Sequence, residues 1–197
     1  MKKSERTRRY IIEKTAPVFN KRGFAGTSLS DIEEATGLTK GSLYGNFADK
    51  EEIALAAFQF AMNKTKKAMA GMIQGKTSAK ARLLAVLRFY ATYVFNSPIP
   101  GGCPLLNNAV EADDHHQSLR DHVANEIKNV VAFIARLLDE GKKSGEFDTT
   151  VNSGELAMLF FTSVEGAIMV SRVSGSDRAM KIVIKNCKNT LDQISIT

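Results

Sequence analysis

Residues 27 to 47 read TSLSDIEEATGLTKGSLYGNF, and this pattern predicts two short helices joined by a tight turn. Ser28 and, three residues later, Asp31 are residue types that cap the first turn of a helix. Gly37 can adopt the left-handed conformation that ends this helix, and Thr39 can cap a second one that carries Leu43, Tyr44 and Phe47. The spacing is that of a helix-turn-helix, in which the second helix enters the major groove of DNA.

The second helix and its flanks carry polar and basic side chains suited to contacts with DNA. We expect Lys50 and the Thr27/Ser28 pair to hold phosphates. The first turns of a short recognition helix face the groove, so its polar residues are expected to reach base edges or the flanking backbone. The predicted DNA-binding residues are Thr27, Ser28, Thr39, Lys40, Gly41, Ser42, Tyr44, Asn46 and Lys50.

The distribution of charge also favours a polyanionic partner. Residues 1 to 22 contain eight Lys or Arg and two Glu, a net charge of +6, which equals the formal net charge of the whole chain. A basic arm and first helix beside a helix-turn-helix would place cations on phosphates, the sequence-independent part of DNA affinity. The alternative is a basic tail that is merely solvated.

A longer pattern surrounds the helix-turn-helix in residues 8 to 55. Its members are Ile12, Ala16, Phe19, Gly23, Phe24, Thr27, Ser28, Leu29, Ile32, Ala35, Thr36, Gly37, Leu38, Thr39, Gly41, Leu43, Tyr44, Phe47 and Lys50. This pattern resembles the N-terminal domain of the tetracycline-repressor (TetR/AcrR) family of bacterial transcription regulators. Pro17 and Glu33 depart from it, since the family usually has a helix former and an alanine there, and Pro17 is expected to kink the first helix.

Helical periodicity continues to the end of the chain, and no strand pattern occurs. The further predicted helices span residues 4–22, 49 to about 73, 79–96, a short stretch near 105, 118 to about 143, and two stretches that begin at Asn152 and Asp177. The sequence therefore predicts an all-α, nine-helix, two-domain architecture. Residues 1–48 would form the DNA-binding domain, and residues 49–197 the ligand-binding and dimerisation domain.

The helix after Asn152 is apolar nearly all the way round, so it must be buried on more than one side. Gly166 and Ala167 would permit close approach of another helix, and the resemblance implies a homodimer that pairs through its last two helices. The alternative is that both helices belong to the core of a monomer. The predicted dimer-interface residues are Phe160, Val164, Ala167, Val183, Cys187 and Leu191.

A helical effector domain builds its pocket from apolar and aromatic side chains with a few polar groups. The predicted pocket residues are Phe58, Met62, Phe89, Tyr93, Cys103, Glu111, His122 and Phe161. Side chains of types that bind metals crowd one helix junction: Glu111, Asp113, Asp114, His115, His116 and His122. Consecutive residues point in different directions, so we expect a solvated loop there, with no metal and no other cofactor.

Cys103 directly precedes Pro104. If Pro104 is the first helical residue, the sulfur lies at a helix N-terminus, where the dipole lowers the pKa of a thiol. The chain could then be a thiol-based sensor of oxidants or electrophiles on the same fold, whereas the simpler alternative is a small buried cysteine. A cysteine-dependent enzyme with a nearby histidine as base leaves residues 1–50 unexplained, so we expect no enzymatic activity.

Neither export nor a membrane span is predicted. Glu13 and Lys14 interrupt the apolar stretch after the basic N-terminus, which a signal peptide does not allow. The apolar run 156–170 contains Glu165 and is shorter than the roughly 20 residues that a bilayer requires. Two cysteines far apart in the chain suit a reducing cytoplasm.

These observations and the resemblance together predict a homodimeric repressor that binds a pseudo-palindromic operator in double-stranded DNA and leaves it when a small-molecule effector binds. The long helix from Asp49 would act as a lever, because tilting it changes the separation of two recognition helices that must lie about 34–36 Å apart, or a multiple of that distance. The competing interpretation is a sequence-nonspecific architectural binder. The polar residues of the recognition helix argue against it.

Overall fold

The computed structural model describes residues 3–115 and 117–196, apart from the side chains of residues 113–115. These residues form nine α-helices: α1 Lys3–Arg22, α2 Leu29–Thr36, α3 Lys40–Tyr44, α4 Lys50–Ile73, α5 Ala79–Tyr93, α6 Pro104–His115, α7 Gln117–Lys143, α8 Ser153–Ser174 and α9 Arg178–Gln193. Phe147 and Ser195 form an isolated antiparallel bridge, and the described ranges contain no longer β-structure. The predicted all-α, nine-helix fold is confirmed.

Contacts between Cα atoms divide the chain into two compact units. The first unit contains Met1–Lys66 and Pro98–Val123, and the second contains Lys67–Ser97 and Ala124–Thr197. The first unit thus combines the helix-turn-helix with most of α4 and with α6. The domain boundary after residue 48 stays a prediction.

The core of the first unit joins four helices. Ile11 of α1, Ile32 of α2, Leu43 of α3 and Ile53 of α4 are each 0% exposed. Burial of a side chain of this size contributes about 1.5–3 kcal/mol. An isolated helix as short as α3 is not stable in water, so packing in this core is what keeps it folded.

α1 continues past Pro17 to Arg22, because the buried side chains of Ile11 and Phe19 on either side of the proline outweigh the loss of one backbone donor. The kink expected at Pro17 stays a prediction. One detail differs from the expectations drawn from sequence. Phe47, expected on the second helix of the helix-turn-helix, follows the end of α3 and is buried there.

In the second unit, α8 packs against α9, and α9 packs against α5. By length and composition alone, α8 could cross a membrane. The expectation that it was too short came from the run 156–170, whereas the helix extends beyond this run at both ends. The core helix of a soluble protein passes the same test, and one face of α8 is buried within the chain, so this feature by itself does not indicate a membrane protein.

Candidate DNA-binding site

The first helix of the helix-turn-helix is capped at both ends, as predicted. Ser28 Oγ accepts a hydrogen bond from the Asp31 N–H at 3.1 Å, and Asp31 Oδ2 accepts one from the Ser28 N–H at 2.8 Å. These bonds to Ser28, together with the Arg22 guanidinium, lower the pKa of Asp31 to about 2. The stabilisation by Asp31 is therefore complete above its unfolded pKa of about 3.9 and is lost as the pH falls toward 2. Gly37 ends α2 with a φ of 68°.

Thr39 caps the N-terminus of α3, and Glu33 of α2 binds a backbone N–H group at the same terminus. The Ser42 N–H donates to Thr39 Oγ1 at 3.4 Å, and the Lys40 N–H donates to Glu33 Oε1 at 2.6 Å. Glu33 thus satisfies an amide that the first turn of a helix leaves without an intrahelical partner. Sequence reasoning noted Glu33 only as a departure from the family pattern. Its place on the helix just before the turn was the available signal.

Arg8 of α1 holds the other end of α3. Its guanidinium donates to the Asn46 carbonyl oxygen, pairs with Glu52 Oε1 at 2.7 Å, and lies 4.0 Å from the centre of the Phe47 ring. Glu52 also accepts from the Ala48 N–H at 2.7 Å, and this bond together with Arg8 lowers the pKa of the Glu52 carboxyl. A cation of the basic arm therefore connects α1, the end of α3 and the start of α4.

The predicted DNA-binding residues differ in accessibility. Thr27 is fully buried, and its Oγ1 donates to the Gly23 carbonyl oxygen at 2.6 Å, so in this structure its side chain cannot reach a phosphate. Asn46 Nδ2 donates to the Ser42 carbonyl oxygen at 2.9 Å. The half-buried members are Ser42, Asn46 and Lys50, and the exposed members are Ser28, Thr39, Lys40, Gly41 and Tyr44.

Lys50 binds the loop between α1 and α2, residues 23–27. Its Nζ donates to the carbonyl oxygens of Phe24 and Thr27, both at 2.8 Å, and lies 4.1 Å from the centre of the Phe24 ring. Two of its three N–H donors are thus engaged within the protein. The predicted contact of Lys50 with a phosphate would use the third.

Glu111, predicted to line an effector pocket, binds the backbone N–H groups of the same loop. Its Oε2 accepts from the Phe24 N–H at 2.6 Å, and its Oε1 accepts from the Ala25 N–H at 3.1 Å. Gly23 makes this approach possible, because a Cβ there would lie 2.4 Å from Glu111 Oε1. An anion on the N–H groups and the Lys50 cation on the carbonyl groups therefore hold loop 23–27 together.

A small cavity of about 20 Å³ lies in the second unit among α5, α7 and α8. Its lining residues are Leu83, Val86, Leu87, Tyr90, Val130, Ile134, Phe160, Phe161, Val164 and Glu165. Among the described residues, Phe161 is the only predicted pocket residue on its wall. Phe89 and Tyr93 are buried on α5, with ring centres 5.3 Å apart.

The remaining predicted pocket residues belong to the first unit. Phe58, Met62 and Cys103 are buried, and His122 is half-buried with its Nδ1 2.8 Å from the Ser118 carbonyl oxygen. As predicted, Cys103 directly precedes the first residue of α6, but it is only 5% exposed. The reactivity of its thiol stays a prediction.

The metal-ligand types at the junction of α6 and α7 are described only in part. Within the described residues, no group of three His, Cys, Asp or Glu side chains is placed to hold a metal ion. The Glu111 carboxylate already accepts hydrogen bonds from backbone N–H groups of loop 23–27. Asp113, Asp114, His115 and His116 lie outside the described side chains.

Five of the six predicted dimer-interface residues are already buried within the single chain, and their contact with a second copy stays a prediction. They are Phe160, Val164, Ala167, Cys187 and Leu191, whereas Val183 is half-buried. Burial raises the pKa of the Cys187 thiol to about 11. A helix that is apolar all round carries no periodic signal for which side faces its own core, so the sequence could not distinguish the two faces of α8.

The side of α8 opposite this core exposes large apolar side chains. We call it the outward α8 face, and it comprises Met158, Leu159, Met169, Val170 and Val173. Val173 is 86% exposed and Leu159 is 57% exposed. Several exposed large apolar side chains on one side of a helix are typical of a surface that pairs with another protein.

The capped helices, the short recognition helix and the second helical unit define a helix-turn-helix, DNA-binding transcriptional regulator. A protein-family model described as bacterial regulatory proteins, tetR family, matches residues 11–57. A model described as the tetracyclin repressor-like C-terminal domain matches residues 79–187. The chain belongs to the tetracycline-repressor family, a family of transcription regulators and not of enzymes.

Relatives match over nearly the whole chain. A TetR-family regulator from Cytophaga hutchinsonii is 37% identical, with a TM-score of 0.95 over 100% of this chain and 98% of its own. The transcriptional repressor DhaR of Mycobacterium sp. strain GP1 is 22% identical over 95% of this chain and 96% of its own length. A cysteine mutant of CifR in complex with 26-bp operator DNA shares the fold, with 19% identity and a TM-score of 0.82 over 92% and 94% of the two chains.

Proposed function

We propose that this protein is a homodimeric cytoplasmic repressor that binds a pseudo-palindromic operator and is released by a small-molecule effector. The observation that carries the proposal is that side chains outside α3, Glu33 and Arg8, hold its two ends while Lys40 and Tyr44 stay exposed. A short helix held in this way presents one surface to a groove in one orientation, as sequence-specific contacts require. The repressor DhaR and the complex of CifR with operator DNA support this proposal.

Selection from a random library of double-stranded DNA tests the proposal. We expect enrichment of an inverted repeat whose half-sites are centred about 10–10.5 bp apart, or a multiple of that, because a twofold dimer places its recognition helices on one face of DNA. Sedimentation should show chains bound in pairs. Binding of unrelated DNA with the same affinity would instead indicate an architectural binder.

We place the effector site at the cavity among α5, α7 and α8. The present cavity is about the size of one water molecule, whereas drug-sized ligands occupy about 300–1,000 Å³. Effector binding must therefore separate these helices. The apolar walls, Tyr90 and the buried Glu165 favour a mainly apolar compound with a few polar groups. A hundredfold preference of this compound for the released state would supply about 2.7 kcal/mol per site.

Lys50→Met should weaken binding to all DNA sequences about equally. If the third donor of Lys50 holds a phosphate, the slope of log affinity against log salt should fall by about 0.9, as expected for one lost phosphate contact. Fluorescence anisotropy over a range of salt concentrations measures this slope. Lys76→Met, at an exposed lysine of the second unit, is the control. A lower affinity with an unchanged slope would limit Lys50 to its contacts with loop 23–27.

Arg8→Met and Arg9→Met remove the same charge from neighbouring residues of α1. Arg9 forms an exposed pair with Glu13 at 2.7 Å, whereas Arg8 also holds the end of α3. We therefore expect Arg8→Met to reduce operator affinity about tenfold more than Arg9→Met at physiological salt, a difference of about 1.4 kcal/mol. Circular dichroism should show both variants folded. Equal losses of affinity would mean that Arg8 acts on DNA only through its charge.

A further inference from the structure

Two side chains on one face of α6 attach this helix to α1 and to loop 23–27. Asn107 Nδ2 donates to the Asn20 carbonyl oxygen at 2.8 Å and to the Gly101 carbonyl oxygen at 3.0 Å. Glu111, one helical turn later, accepts the N–H groups of Phe24 and Ala25. α6 therefore bonds to the end of α1 and to the residues that follow it.

Asn20 strengthens this attachment from the side of α1. It is 4% exposed, and its Nδ2 donates to the carbonyl oxygens of Pro100 and Gly102, both at 3.1 Å. The two backbones approach closely, because a Cβ at Gly101 would lie 2.7 Å from the Asn20 carbonyl oxygen. The beginning of α6 cannot move along α1 without breaking several hydrogen bonds at once.

Loop 23–27 leads directly into the cap of α2. Glu111 binds its N–H groups, Lys50 binds its carbonyl groups, and Thr27 at its end is buried. The next residue is the N-cap, Ser28. Hydrogen bonds to an ionised group are about twice as strong as those between neutral groups. The Glu111 carboxylate therefore helps to fix the loop that leads into the N-cap, and with it the start of α2.

We propose that Glu111 is a positioning residue for DNA binding, which holds loop 23–27 in the operator-binding conformation and transmits a displacement of α6 to the helix-turn-helix. This inference rests on the proposed function, since it names the residue through which release would act. When α6 moves away, the Phe24 and Ala25 N–H groups lose the carboxylate, and the loop loses one of the two charged side chains that bind it. α2 and α3 then lose one of the contacts that orient them.

Coupling of this kind is reciprocal, which permits a test without the effector. If displacement of α6 weakens operator binding through Glu111, operator binding must stabilise α6 by the same free energy. Hydrogen exchange of the α6 amides measures this stabilisation. The DNA added in this experiment is the operator sequence enriched from the random library, and exchange is compared with and without it.

Glu111→Gln keeps the size of the side chain and removes its charge. We expect this variant to bind the operator about tenfold more weakly with an unchanged salt slope, because Glu111 does not contact phosphate. The Phe24 and Ala25 amides should exchange faster, and the operator should no longer slow exchange in residues 105–112. Glu140→Gln, which breaks an ion pair with Arg82 in the second unit, is the matched control and should behave as wild type.

Unchanged operator affinity in Glu111→Gln, with the same protection of residues 105–112 as in wild type, overturns the inference and leaves the proposed function standing. If Glu111→Gln does not fold, the wild-type measurement decides, because the absence of operator-induced protection in residues 105–112 also overturns the inference. If the library yields no enriched sequence, the proposed function fails, and the inference fails with it.

Discussion

Val170→Asp should abolish dimerisation at micromolar concentration and reduce operator affinity at least a hundredfold. Val170 is 48% exposed and lies on the outward α8 face between Met169 and Val173. In the proposed dimer this face is covered by its copy in the partner. An aspartate there would be buried without a counter-ion, which costs several kcal/mol, and a monomer can occupy only one half-site.

Sedimentation velocity and anisotropy measure these two effects, and two further variants locate the interface. Gln74→Asp adds the same charge at an exposed position outside α8 and should remain dimeric. Val164→Asp places the charge on the inward side, where Val164 is 6% exposed, and should unfold the protomer instead. A Val170→Asp protein that sediments as a dimer would exclude the outward α8 face as the interface.

Leu43→Ala should lower the free energy of unfolding by about 2–5 kcal/mol and abolish operator binding. Leu43 is the buried residue of the five-residue helix α3 and is 0% exposed. Truncation removes buried apolar surface and leaves a cavity beside Ile11, Ile32 and Ile53. Since α3 is too short to be stable alone, loss of this contact releases the recognition helix from the core.

Tyr44→Ala is the matched variant, because Tyr44 is the next residue of α3 and is 40% exposed. Its free energy of unfolding should stay within about 0.5 kcal/mol of wild type, while its operator affinity falls. Urea denaturation and anisotropy separate the two variants. A Leu43→Ala protein with wild-type stability would mean that α3 does not depend on the core, and equal destabilisation by Tyr44→Ala would mean that this residue is structural and not part of the DNA surface.

Local signals in the sequence determined the helices and the helix-turn-helix. Ser28 and Asp31 cap α2, Gly37 ends it and Thr39 begins α3, as predicted. Each of these features depends on residues no more than four positions apart, so the sequence alone contains the necessary information. The family followed from the same stretch and its neighbours in residues 8–55, and the matched models confirm it.

The roles of charged side chains were decided by the tertiary structure. Lys50 was predicted to hold a phosphate and Glu111 to line a pocket, and Arg8 belongs to the basic arm whose cations were expected on phosphates. In the structure all three bind groups within the first unit. Glu111 lies 87 positions from Phe24, and no local pattern connects residues that far apart. A long side chain on a helix surface can reach solvent, a ligand or another backbone, and only the packing of the helices selects among them.

For α8, too, the sequence predicted the helix, and the tertiary structure decided which of its sides is buried. Its apolar sequence predicted a helix that is buried on more than one side; the single chain buries one side, and burial of the other stays a prediction. Which side meets the protomer and which is exposed depended on where α9 packs against it, and the sequence could not supply this. Sequence patterns report how often apolar residues recur along a helix, whereas the burial of these residues depends on neighbours that are distant in the chain. When apolar residues surround the whole helix, only tertiary contacts distinguish the core side from the interface side.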